Sequence, residues 1–232
     1  YNTSGSALSL TLKNIKFVQE GYYGAKEDGE VDRTVNFSSP NATVTVENCD
    51  FECKYTCQNN EKTHAIGVSQ ISKLVFKNNP ITGYQRGVQV QSGVGTVESS
   101  GNTMSLVSNE NTAAKAYNFS DSSNATVEIN DTSVTITGKG LQYKISVDSG
   151  KPQNFAKLKT NLDIGNQAVS KVNEKGGDVT IANLEFTDYA RLEGNVIVTG
   201  TVKVETGKKL TVAKDSALII AGERAGIAGA VE

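Results

Sequence analysis

The sequence predicts an all-β chain wound as a β-solenoid, about eight coils long with three short strands to the coil. Three observations lead there. The stretch Asn36 to Asn48 returns almost unchanged as Asn118 to Asn130, 82 residues later with one residue of slippage. Weaker copies of the same frame fill the interval and flank it. The chain also carries 22 Gly, 3 Pro and no Trp among many Thr, Val, Asn and Ser, a composition suited to short strands and tight bends.

The frame defines the first two strands of each coil. With the Asn of Val44-x-Val46-x-Asn48-x-x-Phe51 as position zero, further copies begin at Leu10, Leu74, Val97, Val127 and Val179. Positions −4 and +3 are apolar in every copy, and position −1 is mostly polar, which is the alternation of a strand with one buried face. Position zero is Asn14, Asn48, Asn78, Gly101, Asp131 or Asn183, residue types that tolerate a left-handed backbone at a sharp bend. Stacking like on like at about 4.8 Å would turn Asn14, Asn48, Asn78, Asp131 and Asn183 into an internal ladder.

A third strand precedes each pair. Val35/Phe37, Ile66/Val68, Val88/Val90 and Tyr117/Phe119 each stand a few polar residues ahead of the next frame. Variable intervals around a fixed frame mean loops of different length between fixed strands. The rival arrangement is a pair of antiparallel sandwich domains, which has no reason to repeat a long phrase.

This pattern resembles the right-handed parallel β-helix of the pectate-lyase-like superfamily over roughly residues 8 to 220, as found in bacterial cell-surface proteins. Ile81 to Val90 looks like that family's passage from one coil to the next. The resemblance implies three sheets per coil and an asparagine ladder at one bend, but hardly specifies activity, because one fold hosts many functions. Lyases of the family use calcium-binding carboxylates with an Arg or Lys base. Its hydrolases use neighbouring aspartates beside a Gly-His-Gly segment. Here His64 sits in Thr63-His64-Ala65, and no Asp-Asp pair occurs. Gly67, Gln89 and Asn118, outward in the third strands, read as a solvated face rather than the close carboxylate pair of glycosidic hydrolysis.

Domain organisation follows the rhythm. One domain over residues 1–232 divides into loop-bearing coils (1–137), an irregular part (138–178) with a loop or a short helix near 166–174, and compact coils (179–232). In the last part, Val196–Val198, Val202–Val204, Leu210–Val212 and Leu218–Ile220 read as four successive short strands.

Cys49, Cys53 and Cys57 lie four apart, ahead of the only histidine, His64. Extended, Cys49 and Cys53 stand about 13 Å apart, too far to bridge. Cys53 and Cys57 flank a short loop and are the disulfide candidate, with Cys49 a buried thiol. A Cys3His metal site and the absence of any covalent role are the alternatives.

The chemically richest insertion is residues 19–34. Tyr22 and Tyr23, with Tyr84 and Arg86 from the next-coil passage, form the candidate ligand surface for a sugar ring. The competing role for Tyr84 is to pack its own corner. Asp28, Glu30 and Asp32 offer three oxygens to calcium but lack the rest of an EF-hand loop, and a solvated loop explains them as well. No cofactor is expected.

A net charge of −2 and a pI near 5.6 argue against nucleic acid, and no apolar run is long enough for membrane insertion. The start at Tyr1 and the Asn/Thr/Ser-rich character suggest a piece of a longer secreted chain. The functional expectation is a non-catalytic extracellular or cell-surface module, adhesin-like or stalk-like. Its partners would be a polysaccharide or host surface protein and other domains of the same chain. The alternative is a polysaccharide lyase or glycoside hydrolase.

Overall fold

The computed structural model describes residues 7–23, 31–58, 61–120, 124–147, 153–166, 179–221 and 229–232. It is an all-β chain of three parallel sheets, consistent with a β-solenoid. The first sheet runs through nine strands: Ser9–Lys13, Thr43–Glu47, Lys73–Lys77, Thr96–Ser100, Ala125–Asn130, Gln153–Thr160, Val179–Phe186, Asn195–Val204 and Ala217–Ile220. The second has five: Lys16–Gln19, Asp50–Cys53, Pro80–Thr82, Thr103–Ser108 and Ser133–Gly138. The third, also of nine, begins Val31–Ser38, Lys62–Ser69, Arg86–Val90, Ala114–Phe119 and Gln142–Val147. It continues through Ile164–Asn166, Ala190–Glu193, Lys209–Val212 and Ala230–Val231.

The apolar rows of the repeat set the register. Leu10, Val44, Leu74, Val97 and Val127 pair in series across the first sheet. Phe17, Phe51, Ile81, Met104 and Val134 do so across the second. Val35, Ile66, Val88, Tyr117, Ile145 and Ile164 line the third. All three rows face one continuous core, where each large apolar side chain removed from water contributes about 1.5–3 kcal/mol. Leu10 is 36% exposed, against 2% for Val44 one coil later.

The bend between the first and second sheets corrects the expected ladder. Asn14, Asn48 and Asn78 do take the left-handed backbone (φ 58°, 53° and 54°), and Gly101 joins them at 69°. That conformation turns the three Asn side chains outward, and all are exposed. The buried polar chain runs one residue later. Cys49 N donates to Asn79 Oδ1, Asn79 N to Asn102 Oδ1, Asn102 N to Asp131 Oδ1 and Asp131 N to Asn161 Oδ1, at 2.8, 2.8, 3.3 and 3.2 Å. Of the residues expected in the ladder, Asp131 alone belongs to this chain. Asn183 is exposed and bonds Ala156 O and Thr201.

The second half departs from the expected frame. Gln153–Thr160 continues the first sheet, with Leu158 and then Leu184, not Val179, stacked on Val127. Among the described residues the second sheet ends at Gly138, and each later coil has two strands. Leu10 and its partner Val44 are 34 residues apart (44 − 10), whereas Leu184 and Val202 are 18 apart (202 − 184). The expected strands at 196–198 and 202–204 are one strand, Asn195–Val204, because Gly200 falls opposite a register shift rather than a corner. The helix expected near 166–174 lies outside the described residues but for its first residue, Asn166, which ends a strand.

On the outer face of the first sheet, charged side chains pair from rung to rung. Lys13 meets Glu47 at 3.1 Å, Lys73 meets Glu98 at 2.6 Å, and Lys157 meets Glu128 at 2.6 Å. Exposed pairs like these add about 0–1 kcal/mol each.

Candidate functional site

The loops leaving the second sheet gather most of the residues singled out in the sequence. Gln19 is buried where its strand ends. Its amide donates to Asp32 Oδ2 (2.8 Å) and Gly21 O (3.1 Å), and its carbonyl accepts from Thr34 Oγ1 (3.0 Å). Tyr23 N also donates to Asp32 Oδ2, at 2.8 Å. Asp32 is thus the anchor that ties both ends of the insertion together. Its companions in the calcium expectation, Asp28 and Glu30, lie outside the described residues.

Two tyrosines from neighbouring coils make an aromatic step beside this anchor. Tyr22 stacks on Tyr55 with ring centres 6.1 Å apart and planes 27° from parallel. Tyr55 donates to Glu61 Oε2 at 2.8 Å, and Gln58 N donates to the same oxygen at 2.7 Å. The hydrogen bond to the Glu61 carboxylate, together with burial, pushes the Tyr55 phenol up to about 12. Tyr23, next to the stack, is 83% exposed.

Tyr84 and Arg86 do not belong to an exposed platform. Tyr84 is fully buried, and its hydroxyl meets Thr34 Oγ1 at 2.8 Å; burial pushes the phenol up to about 12. It packs the corner, because a ring at the turn after Pro80–Thr82 fills the space between successive rungs. Arg86 is only 8% exposed and starts the next strand of the third sheet.

The Cys53–Cys57 bond is not formed: all three cysteines are free thiols. Cys53 Sγ turns to Tyr55 O (3.4 Å), while Cys57 Sγ faces Thr63 Oγ1 (3.4 Å). Burial pushes the Cys53 thiol up and the Cys57 thiol up to about 11. Among the described residues no cluster of three His, Cys, Asp or Glu side chains is arranged for a metal ion.

Arg86 belongs to a row that sequence reasoning missed. Arg33, His64, Arg86 and Lys115 pair in series across the third sheet. Each stands two residues before an apolar landmark (Val35, Ile66, Val88, Tyr117), so the repeat itself carried the signal. Arg33 Nε and Nη2 reach Gln89 Oε1 at 3.1 and 2.8 Å. Gly67 makes room for this, since a Cβ there would lie 2.4 Å from Arg33 Cδ. Burial first, then the positive charge of Arg86, Arg33 and Lys115, holds the His64 imidazole well below its ordinary value. Gln89 and Asn118, expected on a solvated face, are 6% and 2% exposed. The row is packed, not open to water.

Among the described residues, clefts open on the outer surfaces, two of them lined by charged side chains. One, with a cavity volume of about 290 Å³, is lined by Ile136, Tyr143, Lys144, Asp163, Arg191 and Glu193 among others. Lys144 pairs with Asp163 at 3.2 Å and Arg191 with Glu193 at 3.1 Å. The other, about 550 Å³, lies against the first sheet near Lys77, Glu98, Glu128 and Lys159. Each acid just named has a cation within ion-pair distance.

Comparison with protein-family models, with curated proteins and with solved structures returns no match to this chain. The reading of function therefore rests on the geometry.

Proposed function

We propose that this chain is a non-catalytic, secreted or cell-surface module, adhesin-like or stalk-like, that contacts a glycan through its inserted loops. On this reading the winding is the right-handed parallel β-helix of the pectate-lyase-like superfamily, used as a rigid shaft. The observation that carries the proposal is the stacked Tyr22–Tyr55 pair beside Tyr23, which is 83% exposed. Tyrosines offer an apolar face and a polar rim at small entropic cost, a combination suited to sugar rings.

The arrangement of the acids supports binding over cleavage. Glycosidic hydrolysis needs a pair of carboxylates free to act on the scissile bond. Glu98, Glu128, Asp163 and Glu193, four acids lining the two clefts, are each held in an ion pair with a lysine or arginine. The second reading, a polysaccharide lyase or glycoside hydrolase, is favoured by one feature, the 290 Å³ cleft with Lys144 and Arg191 near Asp163. A glycan array on wild type, Tyr22→Ala and Tyr23→Ala tests the first reading. The expected result is a defined glycan signal that both variants weaken. Binding of a surface protein but no glycan, or loss of polymer length on incubation, would overturn it.

A further inference from the structure

The cleft on the third sheet has a structural cause. The second sheet ends with Ser133–Gly138, so no rung among the described residues covers the last strand. Ile136, stacked on the fully buried Leu106, is left half-buried and becomes the floor of a notch. Its wall comes from three strands of the third sheet, Gln142–Val147, Ile164–Asn166 and Ala190–Glu193, with Asp163 just ahead of the second.

Tyr143 is fixed in this wall by an absent side chain. A Cβ on Gly165 would come 2.4 Å from Tyr143 Cδ1 and 2.9 Å from Cε1, so the ring lies directly across the Gly165 backbone. The ring is half-buried and lines the cavity. An aromatic held against a sheet is a stacking surface whose position needs little further ordering on binding.

The polar lining is balanced. Lys144 and Arg191 face Asp163 and Glu193, two cations against two anions, and Gln142 adds a neutral amide. Arg191 N donates to Asp163 Oδ1 at 2.8 Å, which fixes that carboxylate in place. Such a lining offers donors and acceptors for hydroxyl groups but no net field for an anion.

We propose that the notch binds a neutral sugar residue of a glycan chain, with Tyr143 as the stacking surface and the Lys144–Asp163 and Arg191–Glu193 pairs as hydroxyl partners. A cavity of about 290 Å³ lies at the small end of ligand pockets, which suits one sugar unit. The site is separate from the Tyr22–Tyr55 loops, and its test is independent of theirs.

Calorimetry on the whole chain with hexasaccharides of glucose, mannose and galactose, and with hexagalacturonate, decides it. The expected result is binding of at least one neutral hexasaccharide that persists at high salt. Tyr143→Ala should weaken it about tenfold or more, and Tyr143→Phe should keep it within about threefold. The Tyr143 comparison is repeated in a Tyr22→Ala background, which removes any contribution of the loops, and thermal melts of each variant report whether it folds. No binding by any neutral hexasaccharide, salt-sensitive preference for hexagalacturonate, or equal affinity in folded Tyr143→Ala would each overturn the proposal.

Discussion

The Tyr117 hydroxyl donates to the Asp131 carboxylate, joining the third sheet to the polar chain at the bend between the other two. Both side chains are buried, at 0% and 4% exposure. Asn102 Nδ2 donates to the same carboxylate at 2.7 Å and also to Ser99 Oγ at 2.8 Å. Asp131 replaces an amide in the chain with a group that can ionise.

That replacement makes stability depend on pH. Burial raises the Asp131 carboxyl above its ordinary 3.8, against the donors Tyr117, Asn102 and Ser99 that lower it. The folded state then holds the proton more tightly than the unfolded chain. Its contribution is full below the unfolded value and is lost as pH rises through the folded one. Asp131→Asn keeps the shape and removes this loss. Urea melts at about pH 4 and pH 7 should show the variant gaining on wild type at the higher pH, and parallel profiles would contradict the account.

Asn78 and Asn79 should behave as opposites. Asn79 donates to Val46 O (3.0 Å) and Asn102 Oδ1 (3.0 Å) and accepts from Cys49 N. Asn79→Ala strands buried partners and is expected to cost about 1–3 kcal/mol. Asn78 is exposed with φ 54°, so Asn78→Gly should be nearly neutral. Equal losses in chemical denaturation would mean that the polar chain is misplaced.

Tyr84 and Tyr23 separate packing from surface. Tyr84→Ala empties a sealed corner and should cost about 3–5 kcal/mol, whereas Tyr23→Ala should stay within about 0.5 kcal/mol. Differential scanning calorimetry on both variants checks this, and a stable Tyr84→Ala protein would restore the exposed platform.

The thiols should be inert in the folded protein. Burial raises Cys53 and takes Cys57 to about 11, so little thiolate is present near pH 8. Alkylation by iodoacetamide is expected to be slow in native protein and to label all three cysteines after denaturation without reductant. Labelling of Cys49 alone would reveal a Cys53–Cys57 bond.

The strands were legible because their apolar rows repeat: Val44, Leu74 and Val97 stack as their spacing implied. The bend was legible in conformation but not in direction. Asn at position zero announced a left-handed backbone, yet that same backbone turns its side chain outward and makes the next residue, Asn79 or Asn102, the buried one. The stretch from 153 to 166 escaped because its inward residues, Phe155, Leu158 and Thr160, change spacing at the register shift beside Ala125. Tyr84 and Arg86 were misplaced because aromatic and cationic residues near a turn carry no mark of burial. The notch was invisible in sequence, since it exists where a sheet stops and Gly165 lets Tyr143 cross from a strand distant in the chain.

The central claim is that the chain holds a glycan without cleaving it. The most direct measurement is the mass of a glycan retained by the protein after prolonged incubation at neutral pH. The expected result is a retained glycan of unchanged mass. Shortened products, reducing ends or unsaturated uronides would contradict the account, as would the failure of any glycan to be retained.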